Sequence, residues 1–281
     1  MVVFWNLENF FDWKRDSLAG NIRYWTREKF RRKCRAVSKT FLWLADEEGR
    51  MPDVIGVAEI ENRFVLERLL RDTPLSRAGY GIVHYDSPDP RGIDVALLYR
   101  KQALELLYSA PLRVDNRTRD ILLACFRRND GDTLAFLVNH HPSKYGGGSS
   151  GRRKVALRRL KDATDSLIGS GTKAVVAMGD FNDTPESTEE YSRTMVNLAA
   201  PLAKRGEGTI KYSGKWEMID MFFISPSVAE HNPEARMKVA RIPFLTVRDN
   251  AHSGEKPLRT FTGPRYSGGV SDHCPITLMI Q

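Results

Sequence analysis

Ten short apolar runs recur from one end of this chain to the other, and they constrain its fold more than any other feature: Val2–Trp5, Val54–Ala58, Gly81–Tyr85, Asp94–Tyr99, Leu104–Tyr108, Ile121–Phe126, Leu134–Asn139, Ala174–Met178, Met218–Ile224 and Pro275–Ile280. They are rich in β-branched and aromatic residues and bounded by Gly, Pro or Asp, the punctuation of β-strands. Helical periodicity is confined to fewer places. Thr26–Ala45 begins on a capping Thr and sets Phe30, Val37, Phe41 and Leu44 on one face against a basic one. Arg152–Leu167 repeats the pattern with Val155, Leu157, Leu160 and Ala163, and a weaker helix covers Arg63–Arg71. Strands so outnumber helices that the pattern favours two packed sheets flanked by helices over a doubly wound parallel sheet. Among 281 residues there is no linker, repeat or low-complexity segment, so one domain is expected. The irregular stretches are Ser87–Arg91, Tyr145–Gly151 and Thr246–Gly269, and long ordered loops are often functional.

Composition narrows the class. With 41% hydrophobic and 28% charged residues, the chain is that of a folded globular domain, and no apolar run reaches the roughly 18 residues of a membrane span. Stable membrane insertion is not expected. Cys34, Cys125 and Cys274 lie too far apart for a disulfide framework or a zinc-ligand pair and read as buried thiols. The first residues do not resemble a signal peptide, and the compartment stays open between the cytoplasm and export after removal of a leader. A formal net charge of +8 fits a polyanionic partner and equally fits a solubility surplus.

Several runs end in a residue able to do chemistry. Ala174–Met178 leads into Gly179-Asp180-Phe181-Asn182-Asp183-Thr184-Pro185, where Asp180 and Asn182 alternate and would project to one side. A carboxylate and an amide oxygen suit a hard cation or its attacking water, and an ordinary Asx turn explains them as well. Before the last run stands Gly268-Gly269-Val270-Ser271-Asp272-His273-Cys274-Pro275. Asn6 follows the first run, Glu59 the second, and Asn139-His140-His141-Pro142 the seventh. None is decisive alone. Residues at matching ends of neighbouring strands converge in space, and five chance Asx caps at such ends is the poorer account.

That ordered set resembles the endonuclease/exonuclease/phosphatase superfamily, which includes deoxyribonuclease I, exonuclease III-type abasic endonucleases, neutral sphingomyelinases and inositol polyphosphate 5-phosphatases. The resemblance runs from Val2 to Ile280 and includes Ile219-Asp220-Met221-Phe222-Phe223-Ile224-Ser225. Val3–Asp12 and Arg91–Tyr99 resemble a bacterial branch of it. It implies a four-layered α/β sandwich of two packed, mostly antiparallel sheets flanked by helices, as in deoxyribonuclease I. It implies a hydrolase using Mg²⁺ or Mn²⁺, with Glu59 as principal ligand and Asn6 and Asp272 completing an oxygen-rich site. Asp180 would orient or deprotonate the attacking water, and Asn182 would hold that water or a phosphate oxygen. His273 would contact the scissile phosphate with Asp220 on its other ring nitrogen. His140 would stabilise the transition state or protonate the leaving group, with Asp94 as its candidate carboxylate partner. Cationic imidazoles and a metal are the expected sources of rate. A monomer is the family default.

Weaker expectations attach to Arg91, Lys144 and Arg152 as phosphate contacts and to Glu61 as a second ligand or a surface acid. His141 is taken as a non-catalytic neighbour, where family members often carry an aromatic residue or Leu, and His84 and His252 as structural or surface. Basic Lys144, Arg152, Arg153, Lys154, Arg241, Arg248, Lys256, Arg259 and Arg265 lie among Tyr145, Phe261 and Tyr266, a mixture that suits nucleic acid and is nearly as well explained as solvated loop. A nuclease is therefore expected ahead of a phosphatase or phosphodiesterase on a small molecule or lipid head group. An inactive scaffold binding nucleic acid or protein ranks far behind, since the acids and histidines are all present.

Overall fold

The computed structural model describes residues 1–14, 25–144 and 149–280. In chain order the principal strands are β1 (Val2–Phe10), β2 (Val54–Ile60), β3 (Tyr80–His84), β4 (Asp94–Arg100), β5 (Leu104–Leu112), β6 (Ile121–Arg128), β7 (Thr133–His140), β8 (Ala174–Asp180), β9 (Val196–Asn197), β10 (Asp220–Ile224), β11 (Arg236–Val239) and β12 (Ile276–Met279). They form two six-stranded sheets, β11-β12-β1-β2-β4-β3 and β5-β6-β7-β8-β10-β9. Each sheet is antiparallel except for one parallel pair, β1–β2 in the first and β7–β8 in the second. Both pairs aim their carboxyl ends at the same edge of the sandwich, which is where sheet-built sites collect.

Alternation along β1 explains the layering. Val2 and Phe4 join a core shared with Leu122, Phe136, Val176 and Met178 of the other sheet. Val3, Trp5 and Leu7 turn the other way, beneath helices α1 (Arg27–Glu47) and α2 (Arg63–Arg71). Thr26 caps α1 by accepting from Lys29 N, and Phe30, Val37, Phe41 and Leu44 are all buried. Helix α3 (Ser149–Gly169) packs on the second sheet, so the layers run helix, sheet, sheet, helix. The sheets approach closely at Gly56, where an added Cβ would stand 2.9 Å from Met178 Cε and 3.2 Å from the Phe4 ring.

Each apolar run overlaps a strand, and three details differ from expectation. The buried face of α3 is Ala156, Leu160, Ala163, Thr164 and Leu167, while Val155 is exposed. Small residues seat this helix on the sheet, which weighting by hydrophobic size does not anticipate. The edge strand β11 has only Met237 and Val239 as apolar members, too weak a pattern to read. The stretch 246–269 holds two short hairpins, Thr246–Arg248 with Glu255–Pro257 and Phe261–Thr262 with Arg265–Tyr266. No helix among the described residues is long and apolar enough to cross a membrane.

Candidate active site

Strand register builds the site. Asp180, the last residue of β8, is the direct partner of His140 on β7 and of Asp220 on β10. Three adjacent strands thus set His, Asp and Asp in a row. Gly179 lets β7 and β8 close together there, since an added Cβ would lie 2.3 Å from the Asn139 carbonyl oxygen. From the facing sheet, Asn6 Nδ2 donates to Asp180 Oδ2 at 3.0 Å. Asn182 N donates to Asp180 Oδ1 at 2.8 Å, so the Asx turn read from the sequence is present and itself anchors the carboxylate. The Asn182 side chain donates to the His141 carbonyl at 3.0 Å.

His273 enters from the segment before β12. Its Nδ1 lies 2.8 Å from Asp220 Oδ2, and its Nε2 faces Asp180 at 3.9 Å and Asp272 at 3.8 Å. The backbone behind it is held by Ser271, whose hydroxyl donates to Asn6 O at 2.6 Å and accepts from His273 N at 3.0 Å, and by Trp5 Nε1 donating to His273 O at 2.8 Å. His140 Nε2 lies 3.6 Å from Asp180 and 3.8 Å from Glu59.

Glu59 owes its position to a break in β2. The register with both neighbouring strands shifts around it, and its backbone is left-handed, with φ of 60°. Glu8, Asn9 and Asn182 are also left-handed, at 44°, 51° and 49°. Such conformations cost side-chain-bearing residues on the order of 1–3 kcal/mol each and persist where surrounding structure enforces them. Four of the five in the described chain lie around Asp180 and Glu59. The bulge turns Glu59 out of the ladder, with one oxygen fixed by Asn9 N at 2.8 Å. Its other oxygen has Arg91 at 3.6 Å.

Electrostatics differentiate the ionisable groups. Burial lowers the His140 pKa well below 6.5, reinforced by Arg119, Arg91 and His273, so its ring is neutral. Burial opposes charge on His273 too, but the Asp220 and Asp180 carboxylates outweigh it and hold this ring well above 6.5. Burial raises Asp180 to about 7, against the pull of His273 and the hydrogen bonds from Asn182 and Asn6. The two imidazoles are therefore pushed in opposite directions, His140 toward the neutral form and His273 toward the cation.

The donor set fits a hard divalent cation. Glu59 and Asp272 each have one oxygen anchored, the latter by Arg259 Nη2 at 3.0 Å, and one with only longer polar neighbours. The Asn6 amide oxygen accepts from Glu8 N at 2.9 Å and retains a second lone pair. All are oxygens, as Mg²⁺ and Mn²⁺ favour. Asp180, Asp220 and His273 also lie close enough together to surround an ion. Their closeness is better explained as an ion-paired trio, because a protonated imidazole has no lone pair to give.

The remaining expectations fare differently. Asp94 does not partner His140: its carboxylate takes His84 Nε2 at 3.2 Å, Ser87 N at 2.9 Å and the Ser87 hydroxyl. The start of β4 pairs with Ile60 on β2, which directs Asp94 to its own hairpin, and His140 Nδ1 has no hydrogen-bond partner among the described residues. Arg91 reaches the site, donating to Asn9 at 3.0 Å. Lys144 pairs with Glu217 at 2.9 Å, Arg152 is exposed on α3, and Tyr145 lies outside the described residues. His141 packs edge-on against Phe181 at 4.9 Å, with its pKa lowered to about 3 by burial. Glu61 accepts from Asp12 N at 2.6 Å.

Sequence reasoning missed a supporting group. Arg119, 6% exposed, donates to the carbonyls of His140 and His141 at 3.2 and 2.7 Å and to Asp89 at 2.8 Å. Nothing in Thr118-Arg119-Asp120 announces it. Lys33 stands among Phe30, Cys34 and Val37 on the apolar stripe of α1. It is buried, donating to Glu8 O at 2.6 Å and Thr260 Oγ1 at 2.9 Å. Glu8 in turn accepts from Arg259 Nε at 2.7 Å, which joins the loop 259–260 to the exit of β1.

Comparisons agree with this architecture. No curated relative matches the chain in sequence. A mannosyl-6-phosphatase of Bacteroides thetaiotaomicron superposes with a TM-score of 0.64 at 15% identity, covering 100% of this chain and 98% of that one. The human Nocturnin catalytic domain, solved with bound sulfate, gives 0.61 at 18% identity, covering 99% and 94%. TDP2 of D. rerio, complexed with a single-strand DNA product, gives 0.59 at 15% identity, covering 98% and 96%. At such identities these likenesses establish the fold. The family model for the endonuclease/exonuclease/phosphatase family matches residues 1–281, and the chain belongs to that family of phosphoester hydrolases.

Proposed function

We propose that this protein is a divalent-metal-dependent nuclease, cleaving phosphodiester bonds of nucleic acid by in-line attack of water. The observation that carries the hydrolytic reading is the alignment of Asp180 between His140 and Asp220, with Asn6 of the other sheet and His273 closing on the same carboxylate. Asp180, poised near neutrality, takes a proton from the attacking water as the new P–O bond forms. Asn6 and the Asn182 amide hold that carboxylate in place. His273, kept cationic by Asp220, neutralises charge growing on the phosphoryl oxygens. In this reading His140, neutral, donates a hydrogen bond to the leaving oxygen as the old P–O bond breaks. Mg²⁺ or Mn²⁺ held by Glu59, Asn6 and Asp272 would supply Lewis-acid charge to the same phosphoryl group.

Nucleic acid is favoured over a small phosphoester by the cationic and aromatic groups around the cleft: Arg91 and Arg259 beside the carboxylates, and Phe261 and Tyr266 on the hairpin that follows Arg259. The test is nicking of supercoiled plasmid with Mg²⁺ or Mn²⁺, beside an EDTA control and an Asp180→Asn/His273→Ala double variant. Metal-dependent nicking lost in the variant supports the assignment. No nicking, with hydrolysis of a sugar phosphate or phospholipid head group instead, would replace nucleic acid by that substrate and leave the hydrolytic site standing.

A further inference from the structure

Helix α1 carries its charges the wrong way round for its own dipole. Between Arg27 and Lys39 stand seven Lys or Arg and one acid, Glu28, and the carboxyl-terminal part brings Asp46 and Glu47 with no base in the last turn. A helix favours acids at its amino end and bases at its carboxyl end, by about 0.3–1 kcal/mol for each suitably placed charge. The dipole opposes that arrangement, and the one acid, Glu28, pairs with Arg32 at 3.1 Å and lies 3.5 Å from Arg35. Apart from Lys33, which is buried, the bases do not serve the core: Arg27, Arg31, Arg32, Arg35 and Lys39 are exposed.

The basic half of the helix is joined to the site. Arg259 sits on Asp272 and Glu8, and two residues later the hairpin sets the half-buried rings of Phe261 and Tyr266 5.5 Å apart. Lys29 of α1 lies over both rings, at 5.6 and 4.9 Å. From there Arg32, Arg35 and Lys39 share the outward face, spaced at helical repeats, and Lys39 lies 4.1 Å from the Phe244 ring. Lys29 to Lys39 covers about 15 Å of helix, room for several phosphates of one strand.

We infer that the outward face of α1 is a docking track for a nucleic-acid strand that crosses the Phe261–Tyr266 hairpin on its way to or from Asp180. This rests on the nuclease reading and adds where the rest of the substrate lies. The rings offer sequence-tolerant stacking and the helix offers phosphate contacts, so the track recognises length rather than sequence.

The experiment compares wild type, Arg32→Gln/Arg35→Gln/Lys39→Gln, and a control, Lys101→Gln/Arg127→Gln/Arg128→Gln, which removes equal charge at the opposite end of the strands. Substrates are a single-stranded oligonucleotide of about twenty residues and a trinucleotide, and binding of the labelled oligonucleotide is followed by anisotropy in EDTA. The α1 variant is expected to bind the oligonucleotide at least about tenfold more weakly and to raise its KM by a similar factor, with kcat kept and the trinucleotide unaffected. Its log affinity against log salt should flatten by about 2, three contacts at roughly 0.7 each. The control should match wild type. Equal losses in both triple variants would reduce the effect to net charge and overturn the track. Unchanged oligonucleotide binding and KM in the α1 variant, with wild type still cleaving, would overturn it and spare the nuclease. A wild type that nicks plasmid but neither binds nor cleaves the oligonucleotide overturns the track alone, and one that fails on plasmid as well ends both.

Discussion

His273 Nδ1 meets Asp220 Oδ2 at 2.8 Å while its Nε2 faces Asp180 at 3.9 Å, so one imidazole stands between two buried carboxylates. That relationship makes His273 the persistent cation of the site.

The pH profile should show it. Burial disfavours the His273 charge, the carboxylates override burial, and the pKa lies well above 6.5. Activity needing the cation persists through neutral pH and falls as pH passes that raised value. Asp220→Asn should move this alkaline limb of log kcat to lower pH. The stability contributed by the pair is complete below about pH 6.5 and is lost as pH rises through the folded value, so Asp220→Asn should destabilise more at pH 6 than at high pH. An alkaline limb that does not move would remove His273 from this role.

Asp180 governs the other limb. With its carboxyl raised to about 7, it is protonated below that pH and unable to accept a proton from water, so activity should climb as pH rises through this region. Asp180→Asn should lower kcat by about 10²–10⁴ and abolish the acid limb. Retention of the limb in residual activity would assign it to another group.

For the metal, Glu59→Gln should raise the Mg²⁺ or Mn²⁺ concentration at half-maximal rate, and Asp272→Asn should do the same. Titration of activity with each ion, backed by calorimetric binding, reads this directly. An unaltered requirement in Glu59→Gln would exclude the bulged glutamate from the ligand set.

Arg119 joins the two walls of the cleft, gripping the His140 and His141 carbonyls while paired to Asp89. Arg119→Met leaves Asp89 buried and unpaired and should cost about 3–5 kcal/mol in urea unfolding. Adding Asp89→Asn should restore part of that loss. If the double variant is no more stable than Arg119→Met, the ion pair is not what the arginine supplies.

The resemblance that marked Asn6, Glu59, His140, Asp180, Asp220, Asp272 and His273 was legible because each sits at or beside a strand end or in a short motif, where chain order alone is informative. Asp94 misled because its place beside an apolar run says nothing about which hairpin closes over it. The same limit hid Arg119, whose partners lie 21, 22 and 30 residues away.

What the sequence determined by itself is the two-sheet sandwich and which polar residues end its strands, since period-two alternation and strand-ending polar residues are local properties of the chain. What only the tertiary structure decided is their chemistry: which imidazole is charged, where the bulge turns Glu59, and how α1 and the Phe261–Tyr266 hairpin meet. Those depend on burial and on distances between residues far apart in the chain, which no local pattern encodes.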